Sequence, residues 1–206
     1  MQTPGKLLLS KLFRNCAAPK GAAGRLLLHI MNRGHRGVYR WTFDQCPFAA
    51  GMRVLDVGCG GGGAILELLR RFPSIRADGV DVSEESVAMC VRRLSAAGAR
   101  PPGEIVRGDA TALPFADASH DAAYAIETVY FWSDLVAGLR EMRRVLRPGG
   151  FAAVAVDCAD GYTHTASAAQ RGDKFVGLAL DEMNEADKTA DRIAAWTAQV
   201  KAEAGV

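Results

Sequence analysis

The chain has 206 residues, 49% of them hydrophobic and 23% charged, with a formal net charge of +2; these are the proportions of one ordinary folded domain, not of a disordered chain. No apolar run approaches the roughly 18 to 20 residues a spanning helix needs, so no membrane span is expected. Five scattered cysteines (Cys16, Cys46, Cys59, Cys90, Cys158), never spaced as CxxC, suggest neither a disulfide framework nor a zinc cluster, and a reducing cytoplasm is the expected setting.

The charge is unevenly spread. Residues 1–43 carry eight basic side chains (Lys6, Lys11, Arg14, Lys20, Arg25, Arg33, Arg36, Arg40) and no acidic one, leaving 17 basic against 23 acidic residues in the remainder. An acid-free amphipathic start serves a targeting peptide, an arm for an anionic ligand, or a helical extension whose cations are simply solvated. Leu7, Leu8 and Leu9 make too short an apolar core for a secretory signal.

From residue 53 onward, short β-rich runs alternate with helical stretches, which predicts a parallel sheet wound with helices on both faces. Strands are expected at 53–57, 76–81, 104–107, 121–126 and 151–156. A helix over 64–71 follows the first strand and ends at Pro73. Ser83 is placed to cap the next helix, which carries Glu84 and Glu85 in its first turn and sets Val87, Val91 and Leu94 at buried spacing. A further helix begins near Asp134, with Val136, Leu139, Met142 and Leu146 on one side, and stops at Pro148-Gly149-Gly150. Residues 186–204 read as helical, and 175–180 as either a short strand or a helix start. The chain then divides into a helical N-terminal extension (1–50), a core (51–157) and a C-terminal segment of the same domain (158–206).

The chemistry lies at the strand ends. Between the first strand and its helix runs Asp56-Val57-Gly58-Cys59-Gly60-Gly61-Gly62-Gly63, a turn that lets a ligand approach the backbone with no Cβ in the way. Gly58, Gly60 and Gly63 also satisfy GxGxxG, which leaves a dinucleotide site open. Asp56 argues for a cationic ligand, because a carboxylate beside a pyrophosphate would repel it. Asp81, 23 residues after Gly58, ends the second strand, where an acid accepts both hydroxyls of a ribose. Asp109 follows the third strand, within reach of an adenine amino group. Each acid alone could be a cap or a solvated loop residue; three at successive strand ends point to one ligand crevice.

These motifs resemble those of the class I S-adenosylmethionine-dependent methyltransferases. Val54-Leu55-Asp56-Val57-Gly58-Cys59-Gly60-Gly61-Gly62 is similar to their first motif and Gly79-Val80-Asp81-Val82-Ser83 to the ribose-holding second. Gly108-Asp109-Ala110, with Leu113-Pro114-Phe115 and Asp121, is similar to the third, and Leu146-Arg147-Pro148-Gly149-Gly150 to the turn before strand five. The resemblance implies a Rossmann-like, doubly wound, mostly parallel sheet of order 3-2-1-4-5 and S-adenosyl-L-methionine as cofactor, with S-adenosyl-L-homocysteine as product and no metal. It places Asp56, Gly58, Cys59, Gly60, Asp81, Val82, Ser83, Asp109, Ala110 and Glu127 at the cofactor. A narrower similarity, carried by Met31-Asn32-Arg33-Gly34-His35, Trp41 and Glu127-Thr128-Val129-Tyr130-Phe131-Trp132, implies an N-terminal helical lid over the cofactor, with Met31 touching it. Glu127 and His35 are the candidate catalytic residues, and Trp41, Tyr130 and Trp132 the candidate substrate contacts. Arg25, Arg33 or Arg36 is a candidate donor to the carboxylate of the methionine moiety.

The expected reaction is methyl transfer to an O, N or S nucleophile of a small molecule. A non-catalytic S-adenosylmethionine-binding protein and an NAD(P)-dependent oxidoreductase are the competing readings. Nucleic acid gains no support, since no basic-aromatic stripe runs along the core. Members of this class add a helix and a β-hairpin after strand five. The hairpin is expected to be missing here, leaving strand five as an exposed edge that a homodimer or another partner would cover.

Overall fold

The computed structural model describes residue 19 and residues 21–98, 103–156 and 174–179. Helices α1 (Gly21–Gly34) and α2 (Arg36–Gln45) lead into β1 (Arg53–Val57), α3 (Gly63–Arg71), β2 (Arg76–Asp81), α4 (Glu84–Ala96) and β3 (Ile105–Arg107). Then come β4 (His120–Ile126), a 3₁₀ turn (Val129–Phe131), α5 (Leu135–Val145), β5 (Leu146–Val156) and β6 (Lys174–Ala179). The sheet runs β3-β2-β1-β4-β5-β6, its first five strands parallel in the expected order 3-2-1-4-5. The order reverses between β1 and β4, the place where open α/β sheets bind ligands beyond the carboxyl ends of their strands.

Period-two alternation builds two cores, one on each face. Leu55 and Val57 of β1, with Ala123 and Ala125 of β4, face Leu139, Met142 and Val145 of α5. Val54 of β1, with Ala122, Tyr124 and Ile126 of β4, faces Phe43 of α2, Ile65 and Leu68 of α3 and Leu94 of α4. The N-terminal α2 therefore belongs to the fold's own core: Val38, Tyr39, Thr42 and Phe43 are buried. The same alternation turns Asp56 toward the α2/α3/α4 face, where its register partner is Tyr124.

The structure corrects several expectations. In α4 the buried face is Ser86, Met89, Cys90 and Leu94, while Val87 is half-buried and Val91 exposed. Both faces satisfy helical spacing; packing of β2, β3, the glycine loop and α1 against this helix selects the other one. In α5 the buried residues are Gly138, Leu139, Met142 and Val145, and Leu146 is the first residue of β5 rather than helical. β5 thus starts before the Pro-Gly-Gly turn. Its register with β4 jumps from His120↔Leu146 to Ala122↔Phe151, so the turn is absorbed as an irregularity of the strand. β5 is not an edge: β6 pairs with it antiparallel, from Phe151↔Ala179 to Val156↔Lys174. The premise of a homodimer covering a bare strand five is thereby removed. Residues 175–179 are strand, whereas the helix expected over 186–204 lies outside the described residues, as do Cys16 and Cys158.

At the amino ends of the strands a buried polar cluster ties the sheet together. Asp78, fully buried, accepts hydrogen bonds from Arg53 Nε (2.5 Å) and Glu104 N (2.6 Å) and meets His120 Nε2 at 2.9 Å. Burial pushes its carboxyl upward, but bonds from His120, Arg53 and the Glu104 amide outweigh that and hold it below the usual carboxylate range. A depressed acid contributes stability above its unfolded pKa and loses it as pH falls through the folded value. Asp78→Ala, which strands Arg53 and His120, is expected to destabilise the protein by about 3 kcal/mol at neutral pH. The check is a urea unfolding midpoint, with the gap between variant and parent closing in acid.

Candidate active site

Two clefts open at the carboxyl ends of β1, β2 and β4, enclosing about 600 and 550 Å³ of open space. Gly58, Asp81, Thr128 and Phe131 line both, so they are two lobes of one groove. The first lobe is walled by Leu28, Met31, Asn32, His35 and Tyr39 from the N-terminal helices, by Asp56 and the glycine loop, and by Ile126 and Glu127 of β4. The second is walled by Val80, Val82, Gly108, Asp109, Ala110, Trp132 and Ser133. Three carboxylates thus converge on one groove as the sequence pattern predicts, Asp56 and Asp81 in the first lobe and Asp81 and Asp109 in the second.

The glycine loop performs a different task from an amide cradle. The amides of Gly58 and Cys59 both donate to Val80 O (2.8 and 3.0 Å), and that of Gly60 donates to Asp81 Oδ2 (2.9 Å). Those donors are spent within the protein, which corrects the expectation that they face the ligand. What the glycines provide is proximity. Gly58, at φ +87°, lies so close to Thr128 that a Cβ would overlap its side chain, and a Cβ on Gly61 would come within 2.5 Å of Asn32 Nδ2. Asn32 is itself buried, donating Nδ2 to Leu28 O one turn back in α1. The N-terminal helix is keyed directly onto the loop.

The first lobe is rich in acceptors. Asp56 is 3% exposed, and its Oδ2 has no hydrogen-bond partner; the buried Tyr124 hydroxyl also lacks one. Burial raises the Asp56 carboxyl well above the ordinary range, partly offset by the favourable contribution of Tyr124, and the nearby Asp81 pushes the same way as burial. Asp81 is raised as well, by burial, against hydrogen bonds from the Ser83 and Gly60 amides. Among the described residues none of Asp56, Asp81 and Asp109 makes an ion pair. A buried carboxyl whose Oδ2 has only the neighbouring Tyr124 hydroxyl beside it suits a cation or an amine. It would oppose a pyrophosphate, which wants free amides and positive charge.

Asp81 accepts from Gly60 N and, through Oδ1, from Ser83 N (2.8 Å), yet keeps lone pairs on both oxygens for a diol. Ser83 itself does not reach the groove. Its hydroxyl caps α4 by accepting from Ser86 N (3.3 Å) and donates to Pro19 O (3.0 Å), so the expected cofactor contact is a structural one. Asp109 Oδ1 accepts from the amide and hydroxyl of Thr111 (both 2.8 Å) in a tight turn. The loop after it is clamped to α5: Arg144 donates to Leu113 O and Phe115 O, and Glu141 accepts from Leu113 N.

Glu127, at the end of β4, is half-buried with φ +58°, a strained conformation for a non-glycine residue. Its amide donates to Ala155 O (2.9 Å), and its Oε2 accepts from the Tyr130 hydroxyl (2.5 Å). Tyr130 is buried and lines neither lobe, but its hydroxyl meets Glu127 and its ring packs edge-on against Phe131, both of which line the groove; Trp132 lines the second lobe. Trp41, expected to contact substrate, lines neither lobe. Arg33 and Arg36 are exposed and line neither lobe; the Arg25 side chain lies outside the described residues. Thr128 and Phe131 lie at the junction of the lobes; both belong to the Glu127–Trp132 run, but neither is among the candidate site residues.

Residues 54–150 match the family model for a methyltransferase domain. The chain carries a class I S-adenosylmethionine-dependent methyltransferase domain. Over 121 residues this methyltransferase domain is 38% identical to a fatty-acid O-methyltransferase of Mycolicibacterium smegmatis, covering 59% of the chain and 42% of that protein. It is 36% identical over 120 residues to a phthiotriol/phenolphthiotriol dimycocerosates methyltransferase of Mycobacterium ulcerans, covering 58% of the chain and 42% of the relative. The chain thus spans about two fifths of the length of these two curated relatives. Among solved structures, a putative methyltransferase in complex with the Haloferax volcanii Trm112 activator superposes with a TM-score of 0.58 at 26% identity, covering 76% of this chain and 61% of that one. A methyltransferase from Aquifex aeolicus shares the fold at a TM-score of 0.60 and 19% identity, covering 86% and 87%. Among the described residues no cluster of His, Cys, Asp and Glu could hold a metal ion, and no helix is long and apolar enough to cross a membrane.

The residues of the methyltransferase domain fit its cofactor on chemical grounds: a buried carboxylate at the groove wall for an ammonium, and an Asp81 with lone pairs left for a diol. Affinity for S-adenosylhomocysteine should therefore fall as pH is lowered, beginning above the usual carboxylate range. Asp56 and Asp81 are both raised and bind a cation or donate acceptor strength only when ionised. Calorimetric titrations across pH check this; a flat profile down to acid contradicts it.

Proposed function

We propose that the chain transfers a methyl group from S-adenosyl-L-methionine to an O, N or S nucleophile of a small molecule by in-line displacement. The observation that carries this reading is the two-lobed groove, whose first lobe is lined both by the buried Asp56 and by Glu127, a residue held at positive φ. S-adenosylmethionine, when bound, supplies a methyl group already activated on a sulfonium centre. The chain's residues then have three tasks. Asp56 receives the ammonium end, Asp81 the ribose hydroxyls, and the lobe bounded by Val82, Asp109, Ala110 and Trp132 the adenine. Leu28, Met31 and Asn32 of α1 act as a lid that excludes water from the first lobe, and Phe131 separates the two lobes.

Glu127 orients the acceptor and takes its proton, and the Tyr130 hydroxyl fixes that carboxylate's rotamer. His35, on the same lobe, is the second polar group within reach of an acceptor. Leu28, Met31, Ile126 and Phe131 give the first lobe an apolar stretch of wall, which suits an acceptor with a hydrocarbon portion. The acyl substrates in the names of two relatives are compatible with that.

A mass-spectrometric screen for methylated products, with S-adenosylmethionine and a metabolite and lipid extract, tests the reading. A product formed by the parent should fall by about 100-fold or more in rate with Glu127→Ala, at little change in cofactor affinity. Intact cofactor binding with no product from any extract would favour the non-catalytic binding protein instead.

A further inference from the structure

We propose that the outer surface of the N-terminal helices docks on an anionic lipid bilayer, lying on it without spanning it. α1 presents two opposite faces. Leu28, Met31 and Asn32 line the groove, while Leu26 (65% exposed) and Ile30 (61%) stand one turn apart on the other side, the two most exposed large hydrophobics of the described chain. A soluble surface leaves single apolar residues exposed; an adjacent pair repeated on the neighbouring helix is a patch. α1 packs along α4, whose Val91 is 41% exposed and whose Val87, one turn back, is half-buried.

The charge around this patch is of one sign at its far end. His29, Arg33 and Arg36 are exposed beside Ile30, Arg92 is exposed beside Val91, and Arg70 is exposed on the adjoining α3. None of Arg33, Arg36, Arg70, Arg92 and Arg93 makes an ion pair with a described residue, although Arg40 and Arg71 nearby are paired with Glu67 and Asp44. Arg93 Nε is buried with no hydrogen-bond partner. Burial, Arg36 and Arg70 all hold Arg93 below its ordinary pKa, against Tyr39 and Cys90, as expected where cations crowd without counter-charge. The sequence before α1 continues the theme, with Leu7, Leu8, Leu9, Leu12 and Phe13 among Lys6, Lys11 and Arg14, and no acid until Asp44.

Apolar side chains flanked by unpaired cations match the interfacial region of a bilayer, where the acyl boundary takes the former and anionic headgroups the latter. A nucleic acid would leave Leu26 and Ile30 unexplained, and a second copy of the chain would oppose like charges. Because the docking face and the lid face belong to the same helix, contact with lipid is coupled to the wall of the groove.

The test is flotation of the full chain with vesicles of phosphatidylcholine alone or with about 30 mol% phosphatidylglycerol, at low and high salt. Partitioning should be at least tenfold stronger to the anionic vesicles and decline with salt, roughly thirtyfold weaker for Arg33→Gln/Arg36→Gln and roughly tenfold weaker for Leu26→Gln/Ile30→Gln. The leucine–isoleucine variant should keep the parent's S-adenosylhomocysteine affinity, which shows that it folds and separates failure here from failure of the methyltransferase reading. No partitioning to either vesicle, equal partitioning of parent and both variants, or displacement from vesicles by RNA at comparable concentration overturns the proposal. So does a parent dimer, without lipid, that Leu26→Gln/Ile30→Gln converts to monomer while vesicle binding is unchanged.

Discussion

Asp81→Ala is expected to raise the dissociation constant for S-adenosylhomocysteine by tenfold to about a hundredfold. Two hydrogen bonds from ribose hydroxyls to a carboxylate would be lost, each worth roughly 1.5 to 3 kcal/mol before solvent compensation. The structure adds a second loss, because the same carboxylate holds the Gly60 amide at 2.9 Å and the Ser83 amide at 2.8 Å. Asp81→Asn separates the two contributions. A carboxamide oxygen still accepts, so the loop should survive better while one ribose contact fails. Calorimetric affinities for the two variants, with unfolding midpoints as the control for the loop, supply the comparison. An unchanged dissociation constant in Asp81→Ala contradicts the ribose assignment.

Gly58→Ala is expected to abolish measurable cofactor binding and to destabilise the fold by about 3 kcal/mol. A left-handed φ of +87° costs an alanine roughly 1 to 2 kcal/mol, and its Cβ would overlap Thr128 besides. Thr128 lines both lobes, so pushing it aside deforms the junction through which the ligand passes. The double variant Gly58→Ala/Thr128→Gly removes the overlap but not the backbone strain. It should recover part of the stability, as read by urea midpoints, while binding stays weak. Equal stability of Gly58→Ala and the parent would mean that this turn is not held as described.

The strand spans were legible because parallel strands covered on both faces are short apolar runs stopped by glycine or acid. β1 and β2 fall on the expected residues, and β4 begins one residue early because His120 already pairs with Leu146 of β5. The three strand-end acids were legible for a related reason: carboxylates directly after buried strands have few other places to point. Partnering was not legible. Nothing in Gly58-Cys59-Gly60 says that its amides return to Val80 and Asp81, since that depends on how β2 sits beside β1.

Which face of α4 is buried was hidden for a similar reason. Val87, Val91 and Leu94 and the observed Ser86, Met89, Cys90 and Leu94 both keep helical spacing, and only tertiary packing against β2, β3, the glycine loop and α1 decides between them. Ser83 was read as both a cap and a cofactor contact; its hydroxyl is used up by Ser86 N and Pro19 O. Trp41 was assigned from a resemblance to a segment and not from a strand end, and it stands off the groove. Residues anchored to the sheet's carboxyl edge were thus readable from one sequence, whereas those delivered by packed helices were not.

Titration calorimetry of the intact chain with S-adenosylhomocysteine at near-neutral pH asks the decisive question. A groove with an unpaired buried Asp56 and a diol-accepting Asp81 should bind it with one-to-one stoichiometry, and more tightly than it binds NADH. The absence of heat and of competition by S-adenosylmethionine at millimolar ligand, or tighter binding of NADH, would contradict it.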